Sequence, residues 1–315
     1  MDLVTTLVAL VATVLATTAV CNRLDLSPPL VLIVVGIVGS YLPFIPDVQL
    51  DPEVVLLGLL PPLLYAASLQ TSLVDFNANR RPILLLSVGL VAFTTVGVAV
   101  LVHALVHDLG WAGSFAIGAV VAPPDAIAAS AIGRRIGLPR RIVTILEGES
   151  LLNDATALVA LRTALGSIVV WYLMVRDFAL AAGGGVLVGL AFFLGIALIR
   201  KHVTDPVLDS GLSFVTPFAA YIAAEEINAS GVISVVVAGL LLGHKAPIIQ
   251  VAQSRIAERM NWRSIAFLLE GGVFLLIGLQ ARSIIRDAGR DELGGWRIAL
   301  ICALVLVGVI VLRLV

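Results

Sequence analysis

Charge is scarce in this chain. Of its 315 residues only 13% are Asp, Glu, Lys or Arg, roughly half the share of an average soluble domain, which is about 25%. The 20 basic and 21 acidic side chains leave a formal net charge of −1, so the basic excess of a nucleic-acid binder is missing. Cysteine is scarcer still. Cys21 and Cys302 supply no metal or redox spacing and argue against a disulfide. There is no HExxH string, and Gly183-Gly184-Gly185 is not followed by the Lys-Ser/Thr of a phosphate loop. Those glycines read as a place of close helix packing. His103 and His107 form the one His pair at helical spacing. They fall at the end of an apolar run and read as interfacial imidazoles rather than a metal site. No cofactor is implied.

What the chain has in abundance is apolar sequence. Hydrophobic residues make up 60% of it and its mean hydropathy is +1.08. A bilayer-spanning helix needs roughly 20 apolar residues. Eleven such runs are present: 3–20, 29–46, 53–70, 83–106, 111–131, 142–165, 178–199, 206–227, 231–243, 262–280 and 297–315. The ninth is short, and 166–177 reads either as a loop or as an extension of the sixth. The runs are continuous rather than alternating in period two, so they predict helices and not barrel strands. The run from Leu3 to Val20 is span-length and has no basic flank before it, unlike a cleaved signal peptide. The loops after the odd runs carry 13 Lys and Arg residues and the opposite side carries 6. That bias predicts cytoplasmic odd loops and an outside N-terminus. The last run reaches Val315 with no polar flank, which reads as a chain cut short.

Charges inside the runs are the informative residues, since each costs about 2.5–3.5 kcal/mol at the bilayer centre. The candidates among them are Asp125, Glu147, Glu149, Asp154, Glu225, Glu226, Glu270 and Arg313. Seven acids against one base favour a cation or proton as the transported species. Pro123-Pro124 in the fifth run removes two backbone donors and breaks the helix at mid-membrane. Freed carbonyls at that depth are tolerated where they line a cavity, so Asp125 on the break is a ligand candidate. In the sixth run Ser150 and Asp154 are four residues apart and share a face, with Glu147 one turn along it. This face offers hard oxygen ligands. Glu149 and Asn153 form a second such pair about 100° round the helix, a carboxylate in need of a cationic partner. Glu270, mid-run, reads equally as a funnel lining or as half of an ion pair. Hydrolysis is excluded, because Ser150 has no intramembrane His or Lys to serve as base.

Leu60-Pro61-Pro62-Leu63-Leu64, then Ala122-Pro123-Pro124-Asp125-Ala126, then Glu147-Gly148-Glu149-Ser150-Leu151-Leu152-Asn153-Asp154 resemble the monovalent cation:proton antiporter-1 family, which includes bacterial NhaP-type antiporters and the animal sodium/proton exchangers. Tyr221 to Gly231 and Phe274 to Leu279 fit in the same order. The resemblance implies an all-α polytopic membrane protein with the inverted-repeat antiporter fold and a broken helix at the ion site. It implies that Asp154 binds proton and cation in turn, with Ser150, Asp125, Asn153 and the backbone carbonyl of Pro124 around it. It also implies that Glu149 pairs with an arginine of a late core helix, for which Arg313 is the fitting position. Two positions depart from the usual pattern: Pro124 stands where a threonine is common, and Ala66 where a glutamate is. Both bear on cation preference.

On that model residues 1–75 and 178–280 form a dimerising scaffold, 82–165 half of the ion-carrying core, and 297–315 the start of its second half. The second broken helix would lie beyond Val315. The implied function is alternating-access exchange of H+ for Na+, Li+ or K+, with Asn153 in place of a second aspartate making it electroneutral. The implied setting is a homodimer in the cell membrane. The competing reading is a channel-like or regulatory membrane protein that keeps the fold.

Overall fold

The computed structural model describes residues 3–43, 54–124, 137–165, 171–288 and 295–314. Among them every regular element is helical. In chain order they are α1 (Leu3–Leu24), α2 (Pro28–Ser40), α3 (Leu60–Gln70), α4 (Leu73–Ala78), α5 (Arg80–Leu84), α6 (Val91–Leu105), α7 (Gly110–Val121), α8 (Arg140–Leu165), α9 (Trp171–Arg200), α10 (Pro206–Glu226), α11 (Gly231–Ile249), α12 (Ala252–Ala288) and α13 (Gly295–Leu314). Widened π-helical turns precede α3 at Val54–Leu59 and join α5 to α6 at Leu85–Leu90. The first has a physical cause. Pro61 and Pro62 lack the N–H groups that the Leu57 and Gly58 carbonyls would meet in a regular α-helix, and the backbone just before them leaves α geometry for a wider turn.

Each of the eleven apolar runs carries a helix within the described residues. Seven helices there are long and apolar enough to cross a membrane. The remaining runs deviate for local reasons: α2 and Val54–Gln70 are shorter, α7 stops at its prolines, and α8 carries many charges. The ninth run extends to a 19-residue helix through His244, Lys245 and Pro247. The tenth grows charged turns at both ends and becomes 37 residues long. Residues from Trp171 onward belong to α9, so this part of the stretch after the sixth run extends the seventh.

Packing divides the chain into two compact units, Met1–Leu59 with Arg259–Ala299, and Leu60–Glu258 with Leu300–Val315. In the first, Val14, Leu32 and Leu275 form the core. Gly36 of α2 and Gly278 of α12 let two backbones touch: a Cβ at Gly36 would meet the Leu275 carbonyl oxygen and lie 2.8 Å from the Gly278 Cα. Small residues of this kind are how helices pack in lipid, where no hydrophobic force draws them together. Arg282 donates to the Ser40 carbonyl at 3.3 Å, a cation on the negative end of α2.

In the second unit α9 packs on α11, α6 on α7, α3 on α11 and α7 on α8. Gly185 and Gly189 of α9 face α11, where a Cβ would come within 2.6 Å of the Ser230 and Ser234 carbonyl oxygens. The glycine-rich stretch is thus a packing surface. Val98, Val102 and Val305 make a separate core between α6 and α13. Many large apolar side chains remain outward, Leu187 and Ile248 among them. A surface this apolar belongs in lipid.

Candidate functional site

α7 ends where its sequence says it must. The Ala122 N–H still donates to Gly118 at 3.0 Å, but Pro123 and Pro124 have no N–H to continue the ladder. The Ala122 carbonyl, just past the helix end, accepts a close hydrogen bond from Arg313 Nη2 of α13. A guanidinium there meets the negative end of the α7 dipole as well as an orphan acceptor. Pro124 is half-buried. Asp125 lies outside the described residues.

α8 packs along α7 and carries the other candidates on two faces. One face is buried: Glu149 is 6% exposed and Asn153 0%, and Asn153 Nδ2 donates to Glu149 Oε1 at 3.3 Å. The Asn153 Oδ1 atom is buried without a hydrogen-bond partner among the described residues. Gly148 on this helix accepts the close approach of Ile83, whose Cδ1 would lie 2.6 Å from an added Cβ. The second face holds Glu147, Ser150 and Asp154. Ser150 and Asp154 are half-buried, and Glu147 lines a cavity with Asp75, Arg140 and Thr144.

The expected partnership of Glu149 with Arg313 takes a different form. Glu149 accepts from Asn153, Arg313 donates to Ala122, and the two side chains make no direct salt bridge. The reason is local: the broken helix leaves a carbonyl that needs a donor, and an asparagine one turn away already serves the carboxylate.

Other candidates lie apart from this group. Glu225 is at the end of α10, where Oε2 meets Arg162 Nη1 of α8 at 2.7 Å and Oε1 accepts the Gly231 N–H that opens α11 at 3.1 Å. Glu226 is exposed. Glu270 is half-buried on α12, in the first packing unit. The His103 ring stacks between His107 and Trp111, with centroids 5.0 and 4.0 Å away. Among the described residues no group of three or more His, Cys, Asp or Glu could hold a metal.

Known proteins match this chain along most of its length. Residues 8–315 match the family model described as sodium/hydrogen exchanger, transmembrane. The chain belongs to the sodium/hydrogen exchanger family. It is 37% identical over 311 residues to an uncharacterized Na+/H+ exchanger of Mycobacterium tuberculosis, covering 97% of this chain and 56% of that one. It is 33% identical over 275 residues to a sodium, potassium, lithium and rubidium/H+ antiporter of Bacillus pumilus, covering 84% and 41%. The exchanger-family chain thus spans about half the length of these curated relatives. Its fold is similar to that of the sodium proton antiporter MjNhaP1 of Methanocaldococcus jannaschii, with a TM-score of 0.72 and 18% identity over 89% of this chain and 70% of that one. The relatives are transporters, and the chain is an integral membrane protein rather than an enzyme.

One buried charge network in this exchanger-family chain escapes sequence reasoning. Arg200, at the end of α9, is 1% exposed. Its Nη2 donates to Glu258 Oε1 of α12 at 2.7 Å, and its Nε lies 3.2 Å from Asp209 Oδ1 of α10. Gln250 Nε2 ties the two carboxylates together, donating to Asp209 Oδ2 at 2.7 Å and Glu258 Oε2 at 3.2 Å. Ser213 Oγ donates to Glu258 Oε1 at 2.5 Å. By sequence, Arg200 counts as a loop cation and Glu258 as part of a polar linker. The available signal is Asp209, an acid in the first turn of the eighth apolar run.

Proposed function

We propose that this chain is the ion-exchanging membrane part of an antiporter that moves H+ against Na+, Li+ or K+, with Asp154 binding proton and cation alternately. The observation that carries the reading is the pairing of a proline-broken helix with α8. On α8, which packs along that helix, stand a half-buried carboxylate and hydroxyl, four residues apart, and a fully buried amide oxygen at Asn153 that has no donor among the described residues. An unsatisfied buried acceptor asks for a positive partner, and oxygen-only ligands suit a hard monovalent cation by the logic that suits Ca2+ and Mg2+. Arg313 at the Ala122 carbonyl stabilises the end of α7.

The ligand set on this reading is Asp154, Ser150, Asn153, Asp125 and the Pro124 carbonyl. Glu149 and Arg313 hold the surrounding helices and balance charge. With one carboxylate at the Asn153-Asp154 pair, the exchange is one proton per cation and electroneutral. Residues 82–165 carry the ion, and 1–75 and 178–280 form the scaffold and dimer contact. The protein sits in the cell membrane with its N-terminus outside. No cofactor takes part.

The test is reconstitution of the full-length protein in liposomes loaded with a pH dye. Adding Na+, Li+ or K+ should drive proton efflux, and clamping the membrane voltage should leave the rate unchanged. Cation flux with no proton movement would replace exchange by the channel reading. A rate that follows voltage would overturn the one-for-one stoichiometry.

A further inference from the structure

α8 begins beside a polar cavity of about 320 Å³. The α3–α4 corner lines one wall with Gln70, Thr71 and Ser72, while Thr144 and Glu147 of α8 line the other. Asp75 and Arg140 meet across the cavity at 3.3 Å, with the Arg140 side chain 90% exposed. So exposed a pair holds weakly, and it does not seal the cleft. A second tie, from Arg141 Nε to Asn79 Oδ1 at 3.1 Å, fixes the α4 end beside α8.

The cavity-lining Thr144 and Glu147 belong to one stripe of the helix. Thr144, Glu147, Ser150 and Asp154 are spaced three, three and four residues apart, so they fall within about a third of the circumference. Asp154 lies about 10 Å along the axis from Glu147 at a rise of about 1.5 Å per residue. Two further steps of four residues, through Leu158, bring the stripe to Arg162, and there it is clasped. Arg162, its side chain 50% exposed, is bound to the more buried Glu225 at 2.7 Å, and the other oxygen of Glu225 holds the first N–H of α11. The clasp thus engages the joint between α10 and α11.

We propose that this stripe of α8 is the ion path: Glu147 is the first carboxylate a partly hydrated monovalent cation meets, and Arg162–Glu225 closes the opposite end in the conformation described. The proposal rests on the antiporter reading of Asp154 and extends it to the route and its closure. Glu147 raises the local cation concentration at the cavity, as a charge in a cleft with low-dielectric walls does. Ser150 offers an oxygen between the two carboxylates. Release to the other side requires Arg162 to leave Glu225, which also loosens the start of α11. The closure thereby links the ion-carrying helix to the scaffold.

The test uses full-length protein freed of its native cysteines and labelled with a membrane-impermeant thiol reagent. Thr144→Cys should react only from the side of α8 that carries Arg140. Leu158→Cys, midway between Asp154 and Arg162 on the stripe, should resist the reagent from the far side. In a Glu225→Gln background, which keeps an acceptor for the Gly231 N–H, its labelling should rise by roughly tenfold. Thr144→Cys that is inert from both sides, or Leu158→Cys indifferent to Glu225→Gln, overturns the path. In transport, Glu147→Gln should raise the apparent KM for Na+ on the Arg140 side by roughly tenfold, with Glu147→Asp restoring it. An unchanged KM removes Glu147 from the path. Labelling does not depend on exchange. The predicted labelling pattern in a protein that moves no protons would therefore refute the antiporter reading and leave the path intact.

Discussion

Arg200 and Asp154 are both charges on membrane helices, and their surroundings differ in kind. Arg200 is buried among two carboxylates that are themselves bonded by Gln250 and Ser213. Asp154 stands half-buried, with a hydroxyl one turn back and an amide oxygen without a donor next to it in sequence. A buried network of paired charges holds its geometry, because each member left alone would bear the full cost of desolvation. A site that exchanges ions must come within reach of water, which a fully buried charge does not. Burial therefore separates the Arg200, Asp209 and Glu258 network from the half-buried Asp154 proposed to carry transport.

The largest break in that comparison is at Arg200. Arg200→Ala leaves Asp209 and Glu258 buried together, and breaking a buried pair costs about 3–5 kcal/mol. Thermal unfolding in detergent should show a large loss, and Arg200→Ala with Glu258→Gln should recover part of it. A melting temperature unchanged by Arg200→Ala would mean that the network contributes no stability. A step down in size is Ser213→Ala, which removes one donor to Glu258. Hydrogen bonds to charged groups contribute about 1.5–3 kcal/mol, and the same melting assay reads the loss. Smaller again is Asn153→Ala, which takes a longer, 3.3 Å hydrogen bond from Glu149, at the low end of the same range, about 1.5 kcal/mol. If it costs more than Arg200→Ala, the contrast between the two clusters is reversed. The smallest effect is at the exposed Asp75–Arg140 pair: Arg140→Ala should leave the melting temperature unchanged, because so exposed a pair contributes little.

Much of this was readable in the sequence because lipid imposes simple rules. The apolar runs became helices, and the Pro123-Pro124 break fell where missing donors put it. The polar string from Glu147 to Asp154 lies on one helix, split into the two faces that its spacing requires. What sequence could not supply is the destination of long side chains. Arg313 is one residue among apolar neighbours, and nothing in its flanks says that it reaches a carbonyl of α7 rather than a carboxylate of α8. Arg200 and Glu258 lie 58 positions apart, each at the edge of an apolar run. There a charge ordinarily reads as a topology marker. Their burial depends on how the ends of α9, α10 and α12 meet, which is a property of packing. Asp125 is the one site candidate that lies outside the described residues.

The account stands most directly on Asp154. In liposomes holding the full-length protein, Asp154→Asn should abolish cation-driven proton flux, because the amide cannot alternate between proton and cation. Its melting temperature should stay close to that of the unaltered protein, in contrast to Arg200→Ala. Proton-coupled cation flux that persists in Asp154→Asn would contradict the assignment of this carboxylate as the exchanging group.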